Sequence, residues 1–219
     1  MKNIAFYIIF ILFTYLNLSP AHANEYMKGK LTIAEHAELV SPLLNGQMIP
    51  QVDVTTIDGT QTQLSDFLQG NKTILFFYRG GWCPFCNTQM GQLQAIEKRL
   101  TALGFKLVGI STDDAKSLKA SMVERELSYQ LLSDYHSKVS TAFGLSFFTS
   151  AQTTERYLDK MDLQNPLQKN LAGEERLVLP VPAIYVIDSN GLIQFNYVNP
   201  NFKVRLHSEL LLKAAELVN

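Results

Sequence analysis

The chain's only two cysteines, Cys83 and Cys86, stand with two residues between them in "FFYRGGWCPFCNTQM" (residues 76–90), directly after an apolar run. A C-x2-C pair can be half of a metal clamp, a cross-link or a redox centre, and the surrounding residues separate the three. A structural zinc site takes four ligands. Beyond residue 23 the chain adds only His36, His136 and His207, widely dispersed. A cross-link closing so short a loop contributes about 2 kcal/mol by the loop-entropy relation, which a domain of this size does not need. The redox reading rests on position. Pro84 suits the first turn of a helix, which puts Cys83 at or beside the N-cap, where unpaired N–H groups and the positive end of the helix dipole favour a thiolate. Thiols so placed have pKa values lowered from about 8.5 to roughly 3.5–7.5. Cys86, one turn further on, heads the apolar face of the same helix, so its sulfur is expected to point inward. One exposed and one sheltered sulfur suit disulfide exchange, the first attacking and the second resolving.

Those sulfurs need a strand before them and a helix after them. "KTILFFYR" (72–79) is a continuous apolar run of strand length, the pattern of a central strand buried on both faces. After the cysteines, Met90, Leu93, Ile96, Leu100 and Leu103 recur at helical spacing up to Gly104. "FKLVGIST" and "YQLLSD" read as further buried strands, separated by a helix that starts at Asp113 or Asp114 and runs through Leu127. This strand–helix alternation implies crossover connections and a mostly parallel sheet. Upstream, residues 27–44 could form a short amphipathic helix, "QVDVTTIDGTQTQL" reads as a hairpin turning at Asp58-Gly59, and "SDFLQGN" reads as a helical turn capped by Ser65. Downstream, "HSKVSTAFG" adds a short helix and residues 145–179 read as an insertion with helical periodicity through Tyr157 and Met161. "PAIYVIDSNGLIQFNYV" is an antiparallel hairpin, and a closing helix presents Leu206, Leu210, Leu211, Ala214 and Leu217 on one face.

At 219 residues and a formal charge of −1 the chain suits one domain, and it has no basic block that could track a phosphate backbone, so nucleic acid is not an expected partner. Residues 1–23 differ in composition: Lys2, an apolar run from Ile4 to Leu18, and "SPAHA" with Ala21 and Ala23 at the positions of a cleavage site. The expected organisation is a secretory signal over 1–23, an N-terminal extension over 24–44 and a redox domain over 45–219 with its insertion at about 145–179. Export to a bacterial periplasm or beyond follows, with no membrane attachment after cleavage; an uncleaved anchor is the alternative. An oxidising compartment would hold the two cysteines as a disulfide unless a reductant acts on them.

"WCPFC" between strand and helix resembles the active-site motif of the thioredoxin fold, and "LPVPAIYVIDSNG" resembles the loop that carries that fold's cis-proline, which would be Pro182. The succession "IPQVDVTTIDGTQTQLSDF", "FFYRGGWCPFC", "GISTDD", "YQLLSD" and "YVIDSNG" is more specifically similar to the peroxiredoxin-like branch, the alkyl hydroperoxide reductase and thiol-specific antioxidant group, over roughly residues 45–200. The resemblance implies an α/β thioredoxin fold: a central mixed, mostly parallel sheet with a C-terminal antiparallel hairpin, flanked by helices. Laid on the family pattern, the peroxidatic cysteine falls on Cys86, Cys83 stands in place of the usual Thr, Arg79 in place of the usual Pro, and the distant Arg position falls on Pro182.

Two mechanisms fit these residues. In one, a thiolate attacks a peroxide, becomes a sulfenic acid and is captured as a Cys83–Cys86 disulfide. In the other, Cys83 exchanges with a protein disulfide and Cys86 resolves it. The expected partners are a peroxide or protein disulfide and a thiol reductant such as a thioredoxin-like protein; no cofactor or metal is implied. A thioredoxin-fold binding module with idle cysteines is the non-catalytic alternative. Arg79, Trp82, Pro84 and Pro182 are expected to shape the site. Gly80 and Gly81 would allow positive φ or close backbone approach in the turn. Asp113 and Asp114 fit helix caps better than catalytic acids, and the three histidines fit the surface. Tyr78, Phe85, Phe147 and Phe148 would pack in the core or line a pocket over the sulfurs, and the insertion would either cover the site or decorate the surface.

Overall fold

A computed structural model of the chain describes residues 32–161 and 163–218; the expected signal segment lies outside them. In chain order the elements are β1 (Asp53–Thr56), β2 (Gln61–Gln63), α1 (Leu64–Leu68), β3 (Lys72–Phe77), α2 (Pro84–Ala102), β4 (Phe105–Ser111), α3 (Ala115–Glu124) and β5 (Gln130–Ser133). There follow α4 (Lys138–Ala142), β6 (Ser146–Phe148), α5 (Ala151–Met161), β7 (Gln168–Lys169), β8 (Glu175–Arg176), β9 (Val178–Pro180), β10 (Ala183–Ile187), β11 (Ile193–Val198) and α6 (Ser208–Leu217).

Seven strands form the main sheet in the order β11-β10-β3-β4-β5-β1-β2. The expected mixed sheet and C-terminal hairpin are both present, but parallel pairing is confined to β3-β4 and β4-β5. The β1-β2 hairpin adds antiparallel to β5, and β10 adds antiparallel to β3. "Mostly parallel" therefore holds for the centre only, because the crossover helices join just those three strands.

β3 is buried on both faces, and its side chains alternate between two cores. Ile74, Phe76 and Tyr78 share a cluster with Cys83, Cys86, Met90, Leu93 and Leu211. Phe77 points the other way, onto Phe143 and Tyr185 with ring centroids 4.9 and 6.1 Å away. One face of the central strand thus carries the helix that holds the cysteines.

Local differences from the sequence reading have simple causes. Within the described part of 27–44 only a 3-10 turn, Ala37–Leu39, appears, and Ala34 bridges to Phe147 in extended form. Ser65 does not cap α1; Gln63 is the N-cap, and Ser65 Oγ donates instead to Gln51 Oε1 at 3.0 Å. In α6 the buried residues are Leu211, Leu212 and Ala215, while Leu210 and Leu217 are exposed. Three consecutive leucines leave the helical phase ambiguous in the sequence. Residues 145–179 are more structured than an irregular insertion: β6 and β9 pair antiparallel, with α5 between them.

Candidate active site

The end of β3, the turn over residues 79–82 and the start of α2 make one fixed unit. Tyr78 N donates to Ile110 O at 3.0 Å, continuing the β3-β4 pairing, and Thr112 Oγ1 donates to Arg79 O at 3.2 Å. Gly80 has φ +153°, and a Cβ there would run into Trp82 Nε1 and stand 2.7 Å from Asp113 Oδ1. Gly81 donates its N–H to Asp113 Oδ2 at 2.7 Å, while its carbonyl accepts from Asn87 Nδ2 at 2.9 Å and Arg125 Nη2 at 3.3 Å. Asp114 is the cap of α3, accepting from Ser117 N at 2.7 Å. Asp113 is not a cap. It is buried, with its carboxyl pushed up by burial, and it pins the glycine turn.

Cys83 is the N-cap of α2 with φ −90° and ψ 112°, and Pro84 opens the helix, as expected. Both cysteines are free thiols, but the expected contrast in exposure is absent: Cys83 is 1% and Cys86 0% accessible. N-cap geometry fixes the backbone of Cys83 but does not reveal the core cluster, with Trp82 packed against it, in which the residue is buried. The contrast lies in the chemistry instead. The Cys86 thiol donates to Cys83 and lowers its pKa to about 6 against the opposing effect of burial; the Cys86 N–H, Arg79 and Arg205 contribute in the same direction. Cys86 is driven well above the ordinary thiol range by burial and by the adjacent Cys83, with Arg205 pulling the other way.

Arg79 is buried, and its guanidinium lies 4.1 Å from the ring centroid of Phe202 and 5.0 Å from those of Trp82 and Tyr157. Its Nη2 donates to Tyr157 Oη. Tyr157 comes from α5 and packs on Trp82 with centroids 5.1 Å apart, so the segment over 145–179 covers the site rather than decorating the surface. The sequence reading missed Arg205, which donates from Nη2 to Cys86 Sγ at 3.3 Å. Among the described residues neither Arg79 nor Arg205 forms an ion pair with a carboxylate.

The remaining expectations divide. Pro182 is buried and precedes Ala183, which pairs with Phe77 at the site end of β3. The peptide bond before it is trans, contrary to the cis expectation. The chain enters β10 extended from β9, with Val181 N held by Leu145 O at 2.9 Å. Tyr78 and Phe148 are core residues, Phe147 packs against the cluster of Tyr157, Leu177 and Leu179, and Phe85 is 39% exposed and meets Phe202 edge-on at 5.6 Å. His36, His136 and His207 are exposed. A cleft of about 350 Å³ lies beside the turn, lined by Gly81, Trp82, Asp113, Ser121 and Asn165 among others.

A thioredoxin-like sheet with two thiols at the strand-to-helix turn, one acidified and the other held protonated, defines a thiol oxidoreductase site. Residues 45–196 match the model of the AhpC/TSA family. Peroxiredoxin Q of the chloroplast of Suaeda salsa is 28% identical over 177 residues, which span 81% of this chain and 70% of that protein. Peroxiredoxin Bcp of Escherichia coli K12 is 32% identical over 106 residues, 48% of this chain and 67% of that one. In structure, the peroxidoxin BcpB of Mycobacterium tuberculosis superposes with a TM-score of 0.60 at 20% identity, covering 80% of this chain and 97% of that one. The chain belongs to the AhpC/TSA family of peroxiredoxins, thiol-dependent peroxidases, and is similar to their Q and Bcp members.

Proposed function

We propose that this protein reduces hydroperoxides through a Cys83/Cys86 dithiol–disulfide cycle in which Cys83 attacks and Cys86 resolves. The observation that carries this reading is the hydrogen-bonded pair itself: a buried N-cap sulfur acidified by its neighbour, with Arg79 contributing. The Cys83 thiolate displaces alkoxide or hydroxide from the O–O bond and becomes a sulfenic acid, as the peroxide takes up two electrons. Cys86, having given up its proton, attacks that sulfur; the S–O bond breaks, water leaves, and the disulfide forms. A thiol reductant then restores both thiols. Trp82, Tyr157 and Phe202 surround Arg79 and leave it free of carboxylate partners, so its charge acts on the sulfur.

Exchange with protein disulfides is the second reading. The near-zero accessibility of both sulfurs favours a small peroxide over a polypeptide, which would have to displace the covering side chains. We further propose export, on the composition of residues 1–23; fractionation of cells with N-terminal sequencing tests it, and a start at Asn24 in an extracytoplasmic fraction is the expected result. The catalytic proposal is tested by stopped-flow mixing of the reduced protein with hydrogen peroxide and an organic hydroperoxide. Oxidation far faster than that of a free thiol of matched pKa is expected. A rate equal to the free thiol's, together with efficient insulin reduction, would transfer the site to disulfide exchange.

A further inference from the structure

Nine residues, 199–207, link β11 to α6, and this strap carries two side chains onto the dithiol site. Asn199 N donates to Pro182 O at 3.2 Å, and Asn201 and Val204 close a turn behind it. Leu206 is buried, and His207 Nδ1 accepts from Glu209 N at 3.2 Å to cap α6. Between these anchors Phe202 meets Arg79 and Phe85, and Arg205 reaches Cys86.

From these placements we infer that Arg205 is a catalytic residue of the resolving step: its guanidinium is built to hold Cys86 as a thiolate while that sulfur attacks the Cys83 sulfenic acid. The inference rests on the dithiol cycle proposed above, and it assigns the direct hydrogen bond of Arg205, as distinct from its weaker charge effect on Cys83, to the second step.

In the reduced site the negative charge sits on Cys83, served chiefly by the Cys86 S–H and N–H, with smaller contributions from the charges of Arg79 and Arg205. Arg205 nevertheless directs its hydrogen bond to Cys86, whose sulfur is then neutral. Its Nε and Nη1 are buried and without hydrogen-bond partners. A guanidinium donating to a neutral thiol gains little, and one donating to a thiolate gains about twice as much as a neutral pair. That stronger interaction becomes available once Cys83 has been oxidised, its charge is gone, and the Cys86 proton has moved toward the departing oxygen. An interaction that strengthens only as the reaction proceeds speeds that step. The balance is closed: the Cys86 thiolate supplies the electron pair of the new S–S bond, the Cys83 S–O bond breaks, and the leaving hydroxide takes the Cys86 proton as water.

The single tryptophan of the chain, Trp82, adjoins Cys83, so its fluorescence can report both steps in rapid mixing with hydrogen peroxide. Sulfenic acid formation depends on peroxide concentration, and disulfide formation does not. Arg205→Met is expected to slow the second phase about 10- to 100-fold, the rate equivalent of one charge-assisted hydrogen bond, with the first phase, read at a pH well above the Cys83 midpoint so that the lost charge effect of Arg205 on Cys83 does not limit it, within about threefold. Its second phase should move to higher pH, and dimedone should trap Cys83 sulfenic acid. Arg205→Lys should restore part of the second-phase rate, and if the methionine variant does not fold, a slowed second phase with an unchanged first phase in the lysine variant decides. A variant with both phases at wild-type rates, or with only the first phase slowed, overturns the role. If the wild type itself gives no peroxide-dependent phase, the dithiol cycle fails and this role with it; a normal wild type beside an unaltered variant isolates failure of the inference alone.

Discussion

Cys83 and Cys86 are three positions apart on one helix end, yet their protons are held with very different affinity. The S–H and N–H of Cys86 both lower the Cys83 pKa, and a thiolate that accepts such donors is favoured even where burial opposes charge. The thiolate is the nucleophile, so protonation below its pKa removes activity. The second-order rate with peroxide should therefore rise with pH through a midpoint near 6 and level off above it, a profile measurable by stopped flow. Arg79→Met removes a charge that stabilises the anion, and its profile should shift to higher pH. At this scale the cysteine pair was legible in the sequence, because spacing, Pro84 and the preceding strand converge on one turn. Arg205 was not, since it comes to Cys86 from 119 positions away in a segment with no motif of its own. Exposure was misjudged for a similar reason: the cluster that buries the sulfurs draws on β10 and α6, far off in sequence.

Between elements, the site depends on how closely β3, α2 and the β4-α3 loop approach. Gly80 adopts a positive φ where a side chain would strike Trp82 and Asp113. Gly80→Ala should cost about 1–3 kcal/mol, the usual range for a residue forced into a sparsely populated backbone region, and should also slow peroxide reduction by displacing the turn; urea unfolding and the stopped-flow rate measure the two effects. Tyr157→Phe tests the covering helix more gently. It keeps the ring packed on Trp82 but removes the acceptor for Arg79, so stability should change little while the Cys83 pH profile shifts. Strands β3 and β4 and helix α2 were legible because their apolar runs and periodicity are unbroken. The β6-β9 ladder was not, because two three-residue strands separated by a helix carry no periodic signal. The phase of α6 was obscured by its leucine run.

For the molecule as a whole, the decisive property is closure. Both sulfurs lie inside the cluster shared by β3, α2 and α6, with Trp82 packed against it. A small peroxide and a bulky reagent should therefore be discriminated strongly. Trp82→Ala should accelerate reaction with a bulky aromatic disulfide more than reaction with hydrogen peroxide, and equal acceleration of both would show that the indole is not the barrier. The overall architecture was readable from the order of strands and helices, whereas the antiparallel additions of β1 to β5 and β10 to β3 depend on contacts between distant segments that no local pattern encodes. The central claim is that Cys83 is the attacking sulfur, although Cys86 stands where the family pattern puts the peroxidatic cysteine. Exposure of Cys86→Ser and Cys83→Ser to one equivalent of hydrogen peroxide with dimedone, followed by mass-spectrometric location of the adduct, tests it most directly. Rapid labelling of Cys83 in Cys86→Ser, with Cys83→Ser reacting no faster than a free thiol, is the predicted result; labelling of Cys86 in Cys83→Ser at the wild-type rate would contradict it.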